Sequence, residues 1–287
     1  MHFPRYWAKG VVNGTDRDGK ARTFSCWGWS DKSAVEAEQM GCERAGRALE
    51  RMLRGEAPLP YPYGQNPLRE EVLQKIKGVD GEIEAVITRN SYGCRVLNAT
   101  TLMFIDIDFT EKDPREAMGA KLGRLFGKKM PAEDPRETRL LAEIEKRMGD
   151  EPEIGARIYR TKAGMRLFFT HRPFQPTAEE AMRWMEALGA DPLYIRLCKS
   201  QQCFRARLSP KPWRCGMHVF PAVYPWADDK IRSRFTQWEN KYLKTAESYA
   251  TCRFIKHIGE KQAHESLSHL ISLHDRETRA TSDLKLA

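Results

Sequence analysis

Two aspartates stand two residues apart at the end of an apolar run, Thr101-Leu-Met-Phe-Ile-Asp-Ile-Asp-Phe-Thr110. Its β-branched and aromatic types read as a buried strand. Alternate side chains of a strand leave the same face, so Asp106 and Asp108 project together while Ile105, Ile107 and Phe109 turn into packing. Two like charges on one face repel, and the remedies are a raised pKa, basic neighbours or a divalent cation. Hard oxygen ligands at this spacing suit Mg²⁺ or Mn²⁺. In the competing structural reading one Asp caps the loop after the strand and the other pairs with an arginine.

Two further stretches carry chemistry. Residues 156–171 form a hairpin about Lys162-Ala-Gly164, whose glycine permits positive φ. Thr161, Lys162, the turn N–H groups and Arg166 would cup a phosphate there; the plainer reading is a hairpin with exposed charges. In the stretch 201–214, Arg205 and Arg207 leave one face of a strand, and Lys211 and Arg214 follow on a Pro-rich turn with Trp213 between them. This is the densest basic constellation in the chain and suits a polyanion. Alternatively Arg205 or Arg207 neutralises the aspartate pair. Cys198, Cys203, Cys215 and His218 offer four ligands for a structural Zn²⁺, set against free buried thiols, the expectation for an odd total of seven cysteines.

The elements that position these groups are read from pattern. Residues 5–12 and 21–29 are strand-like about a turn at 13–20, and Ser30 or Asp31 caps a helix to about Arg54, giving an N-terminal ββα module. Trp7, Trp27 and Trp29 either stack a nucleic-acid strand or bury the helix against the hairpin. A Pro-rich connector precedes a short helix at 68–77. Strands at 84–90 and 94–98 then lead into the Asp106 strand as an antiparallel meander with the acids on its inner strand. A charged helical insertion spans about 113–149, helices follow at about 177–189 and 191–199, and the tail carries helices at about 227–247 and 262–275 before a loose end. The chain therefore divides into a module at 1–60, an α+β core at 61–215 and a helical C-terminal region at 216–287.

Composition narrows the class. The 287 residues carry 48 Lys+Arg against 39 Asp+Glu, a formal net charge of +9, which favours a polyanionic partner and nucleic acid first. Mean hydropathy is −0.63 and no apolar run approaches a bilayer span, so no membrane is expected. The start Met-His-Phe-Pro-Arg-Tyr lacks a signal-peptide core, and the expectation is a cytoplasmic protein.

Phe104-Ile-Asp-Ile-Asp108, then Thr161-Lys-Ala-Gly-Met-Arg-Leu-Phe-Phe169, then Phe204-Arg-Ala-Arg-Leu-Ser-Pro-Lys211 together resemble the archaeo-eukaryotic primase superfamily, in its primase-polymerase branch. The resemblance covers about residues 84–215 and implies a mostly antiparallel RRM-like sheet with flanking helices and a second small α/β lobe. It also implies a Mg²⁺- or Mn²⁺-dependent nucleotidyltransferase acting on DNA and nucleoside triphosphates. Asp106 and Asp108 would hold the metals, and Thr161, Lys162, Gly164 and Arg166 the incoming phosphates. Arg205, Arg207 and Lys211 would guide template or triphosphate. Two positions depart from the pattern: Arg166 stands where the family hairpin has a histidine, and no apolar strand ending in Asp follows residue 171. A second reading is a non-catalytic nucleic-acid-binding accessory protein of replication or mobile elements. A third is a haloacid-dehalogenase-type phosphatase, because Asp106-Ile-Asp-Phe-Thr110 also fits Asp-x-Asp-x-Thr with Asp106 as nucleophile.

Overall fold

A computed structural model describes residues 1–57, 66–109, 134–149, 151, 153–260 and 262–287. It is an α+β protein whose described residues carry six helices and mainly antiparallel sheets.

The N-terminal hairpin, β1 (Tyr6–Thr15) and β2 (Ala21–Ser30), packs on helix α1 (Ala34–Arg54). Ser33 caps that helix by accepting from the Glu36 N–H at 3.1 Å. Ser30 and Asp31, expected at the cap, lie just before it; the Ser30 hydroxyl instead bonds Glu36 and accepts from the Lys32 N–H. Helix and hairpin meet through glycine. A Cβ on Gly10 would stand 1.9 Å from the Cys42 nitrogen and one on Gly28 2.0 Å from the Ala37 carbonyl, so only bare backbone fits. Trp7 pairs with Trp29 and Lys9 with Trp27 across the ladder, on the face away from Gly10 and Gly28. The close backbone contact with α1 is therefore made by the glycines, and Trp29 meets the helix through the Arg44 side chain. Arg44 lies over the Trp29 ring and Arg69 over the Trp27 ring.

Two four-stranded sheets form the body. One has the order β3 (Glu71–Lys77), β4 (Ile83–Arg89), β5 (Arg95–Ala99), β9 (Phe204–Arg207). The helix expected over 68–77 is thus strand β3, because Glu71–Lys77 finds a ladder partner in β4 that outweighs local propensity. The other sheet has the order β11 (Cys252–Ile258), β7 (Ala156–Thr161), β8 (Gly164–Phe169), β6 (Phe104–Asp108). The acid strand β6 accordingly ends its ladder instead of lying inside the meander. Strand β11 adds a strand to a C-terminal region expected to be helical.

Helices α2 (Pro135–Met148), α3 (Glu179–Ala187), α4 (Pro192–Gln201), α5 (Asp229–Ala246) and α6 (Glu265–Thr278) flank the sheets. The part of the expected insertion at 113–133 lies outside the described residues, as does most of the Pro-rich connector. Phe169 meets Trp184 of α3, whereas Phe104, Tyr159 and Phe168 meet His274 of α6, so the two faces of the β6–β8 sheet are covered by different helices. The chain end is not loose. Strand β12 (Lys285–Leu286) pairs in parallel with β10 (Tyr249–Ala250), and Ala287 is buried. No helix among the described residues is long and apolar enough to cross a membrane.

Strands β6 and β9 face each other without ladder pairing. The Tyr194 hydroxyl bridges them, 3.0 Å from the Phe104 carbonyl and 3.1 Å from that of Arg205. The seam it closes carries the candidate site.

Candidate functional site

The register of β6 against β8 decides what the aspartates can do. Asp106 lies opposite Arg166, and Asp108 opposite Gly164. Ile105 and Ile107 are buried, as the alternation requires, while Asp108 is exposed and its side chain makes no hydrogen bond or ion pair among the described residues. Gly164 is needed for closeness to β6: a Cβ there would stand 1.9 Å from the Ile107 carbonyl. The hairpin expected to cup a phosphate is therefore the ladder neighbour of the acids.

Arg166 is 1% exposed, yet uses four of its five N–H groups. Its Nε and Nη2 donate to the two oxygens of Asp106 at 2.6 and 2.8 Å, and its Nη1 donates to the Arg207 carbonyl at 2.9 Å and to His274 Nε2 at 3.2 Å. Because the guanidinium cannot accept, His274 Nε2 is the acceptor, and its Nδ1–H donates to Asp275 at 3.1 Å. Arg157 completes the row with a 2.6 Å bond to Asp275. Burial drives the His274 pKa down to about 4, so the ring is neutral. Burial also pushes the Asp106 carboxyl upward, but the Arg166 charge and fork outweigh it and hold its pKa below the usual value. Asp106 keeps 40% of its side chain accessible.

Across the seam the charges are not compensated. Arg207, Lys211 and Arg214 have no carboxylate within ion-pair distance among the described residues, and the Arg207 Nε is buried without a hydrogen-bond partner. Burial, then the neighbouring Arg207 and Arg214 charges, lower the Lys211 pKa. Burial and Arg207 likewise lower that of Arg214. Asp108 opposes both shifts from beyond contact range, so the cations and the exposed acid share one field. An entering anion would relieve this repulsion.

The other expected residues are distributed differently. Arg205 turns away to Glu70, with Nη2 at 2.8 Å from Oε1 and both side chains 9% exposed. Neither Arg205 nor Arg207 ion-pairs with an aspartate; Arg166 pairs with Asp106, and the Arg207 charge acts on Asp106 from farther off. Thr161 ends β7, its carbonyl accepting from Arg160, and Lys162 is exposed at the turn beside the end of β6, where the Phe109 N–H donates to the Ala163 carbonyl at 2.9 Å. A cleft of about 270 Å³ opens at the end of β6, between Ile107, Asp108 and Phe109 and helix α2, but its Arg136 pairs with Asp134 and its Arg147 with Glu143.

Among the described residues no three His, Cys, Asp or Glu side chains stand together as a metal site. Cys198, Cys203, Cys215 and His218 therefore do not converge. Two carboxylates, one of them forked by an arginine, do not fit a two-metal centre. The phosphatase reading needs a parallel sheet with helical crossovers, whereas β6 pairs antiparallel with β8. Sequence reasoning missed His274 and Asp275, which carry no local signature, and Tyr92, which lies beside Trp213 in space alone. Compared with known protein families, with curated proteins and with solved structures, the chain matches none.

Proposed function

We propose that this protein binds the phosphate backbone of a nucleic acid along Arg207, Lys211 and Arg214. One contrast carries the reading. Arg89, Arg157, Arg160, Arg166 and Arg205 are each ion-paired, whereas Arg207 at the end of β9 and Lys211 and Arg214 just beyond it have no carboxylate partner among the described residues. Such a cluster costs stability in the free protein, and a polyanion offsets that cost by releasing its own counterions. A diverged member of the primase-polymerase group, with its first metal carboxylate taken by Arg166, is consistent with this arrangement.

The test is binding of a labelled oligonucleotide across a salt series. Neutralising the three cations together (Arg207→Gln, Lys211→Gln, Arg214→Gln) should flatten the dependence of log K on log salt by about 2. Equal affinity and equal slope in the variant and the parent would sink the proposal.

A second reading, binding of a nucleoside triphosphate through a single Mg²⁺ or Mn²⁺ at Asp108, is favoured by one observation: Asp108 is exposed and unpaired on the strand face where Asp106 remains partly open. Asp108→Asn is its clean probe because it disturbs no ion pair. Metal-dependent binding of a nucleoside triphosphate should then weaken; if it does not, this second reading fails.

A further inference from the structure

Tyr92 and Trp213 are large aromatic residues left 46% and 48% exposed, and neither belongs to a core cluster. They come from distant parts of the chain, Tyr92 from the β4–β5 turn and Trp213 from the 3-10 turn Pro212–Arg214. Their ring centroids nevertheless lie 5.2 Å apart, edge to face at 85°. Lys211 Nζ sits 5.3 Å from the Trp213 centroid, so the rings adjoin the uncompensated cations.

Both turns are held by hydrogen bonds that do not involve the rings. Asn90 Oδ1 accepts from the backbone N–H groups of Tyr92 and Cys94, each at 3.0 Å. Arg214 N–H donates to the Lys211 carbonyl at 2.8 Å and Cys215 N–H to that of Pro212 at 3.1 Å. The Cys94 thiol donates to the Pro210 carbonyl at 3.4 Å, tying one turn to the other. The backbone beneath both rings is thus held in place, which lowers the ordering that a ligand must impose.

We infer that Tyr92 and Trp213 form a base-stacking platform for single-stranded nucleic acid, whose phosphates run along Arg207, Lys211 and Arg214. The inference rests on the phosphate-binding reading above and adds the strandedness of the ligand. Cations alone would serve any polyanion. Half-open rings beside them gain from unpaired bases, whose π-faces a duplex keeps within its own stack. Stacking on an aromatic tolerates any base, so the platform confers strandedness in preference to sequence.

The experiment compares labelled oligothymidylate, a duplex of the same length and inorganic polyphosphate as a base-free competitor. The parent should prefer the single strand. The double variant Tyr92→Leu/Trp213→Leu keeps apolar bulk but loses the π-faces. It should weaken oligothymidylate binding roughly tenfold to a hundredfold at fixed salt, with the salt slope and polyphosphate competition unchanged. The variant Tyr92→Phe/Trp213→Phe should restore binding. If the leucine variant binds as the parent does while the cation variant loses affinity, the platform is wrong and the phosphate reading stands. If neither variant loses affinity, both fall.

Discussion

Arg205 and Arg207 leave the same face of β9, two residues apart, and meet opposite fates. Arg205 is nine-tenths buried against Glu70, whereas Arg207 has no acid within ion-pair distance among the described residues and leaves its buried Nε without a partner there. The same contrast separates the two sides of the seam. On the β6–β8 side Arg166 is locked to Asp106, His274 and a carbonyl; on the β9 side burial and the Arg207 charge depress the proton affinity of Lys211 and Arg214. A buried cation with every partner in place serves the fold, since desolvation is offset within the chain. Cations gathered without partners do not, and their electrostatic cost marks where a ligand is expected.

The largest expected effects come from stripping partners on the compensated side. Glu70→Ala and Asp106→Ala each leave an arginine buried without its carboxylate, and each should cost about 3–5 kcal/mol in urea denaturation. Should Asp106→Ala be as mild as a surface change, the Arg166 pair is not structural and the contrast is lost.

Next comes pH. The His274 pKa is about 4 in the fold against 6.5 for an ordinary histidine, so between these values the unfolded chain binds the extra proton. Stability should therefore fall as pH drops from 6.5 toward 4, by on the order of 3 kcal/mol for this group. His274→Asn should flatten that part of a pH-dependent melting series; an unchanged profile would remove His274 as its source.

On the uncompensated side the changes in stability should be small. Arg207→Met removes repulsion and one buried unpaired nitrogen, so denaturation should shift by less than about 1 kcal/mol, in either direction. A loss as large as that of Asp106→Ala would show a hidden structural role. Smallest of all is Lys162→Gln. It should leave stability within about 0.5 kcal/mol and the salt slope of oligonucleotide binding unchanged. A slope reduced by about 1 would instead bring the hairpin turn into the phosphate path.

Several of these features were legible in the chain. The strand period put Asp106 and Asp108 on one face, Lys162-Ala-Gly164 announced its hairpin, and the basic run after Gln201 marked the cations. Other features were not. Glu71–Lys77 is short enough for either helix or strand, and pairing with β4 chose. Strand β11 mixes Arg253, Lys256 and His257 with half-buried apolar residues, so no clean alternation marked it. Gly164 suggested a turn conformation but serves the approach of β8 to β6.

Residue order alone therefore determined the local geometry of charge: which acids share a face, which cations cluster, and where the chain turns. Which charges would be cancelled was decided only on folding. Asp106 and Arg166 are 60 positions apart, and Arg205 and Glu70 are 135 apart. No periodicity reports a partner at that range, because sheet register and the seam between β6 and β9 are properties of the assembled strands. Electrostatic pairing acts over a few ångströms of space, and only the tertiary fold sets that distance.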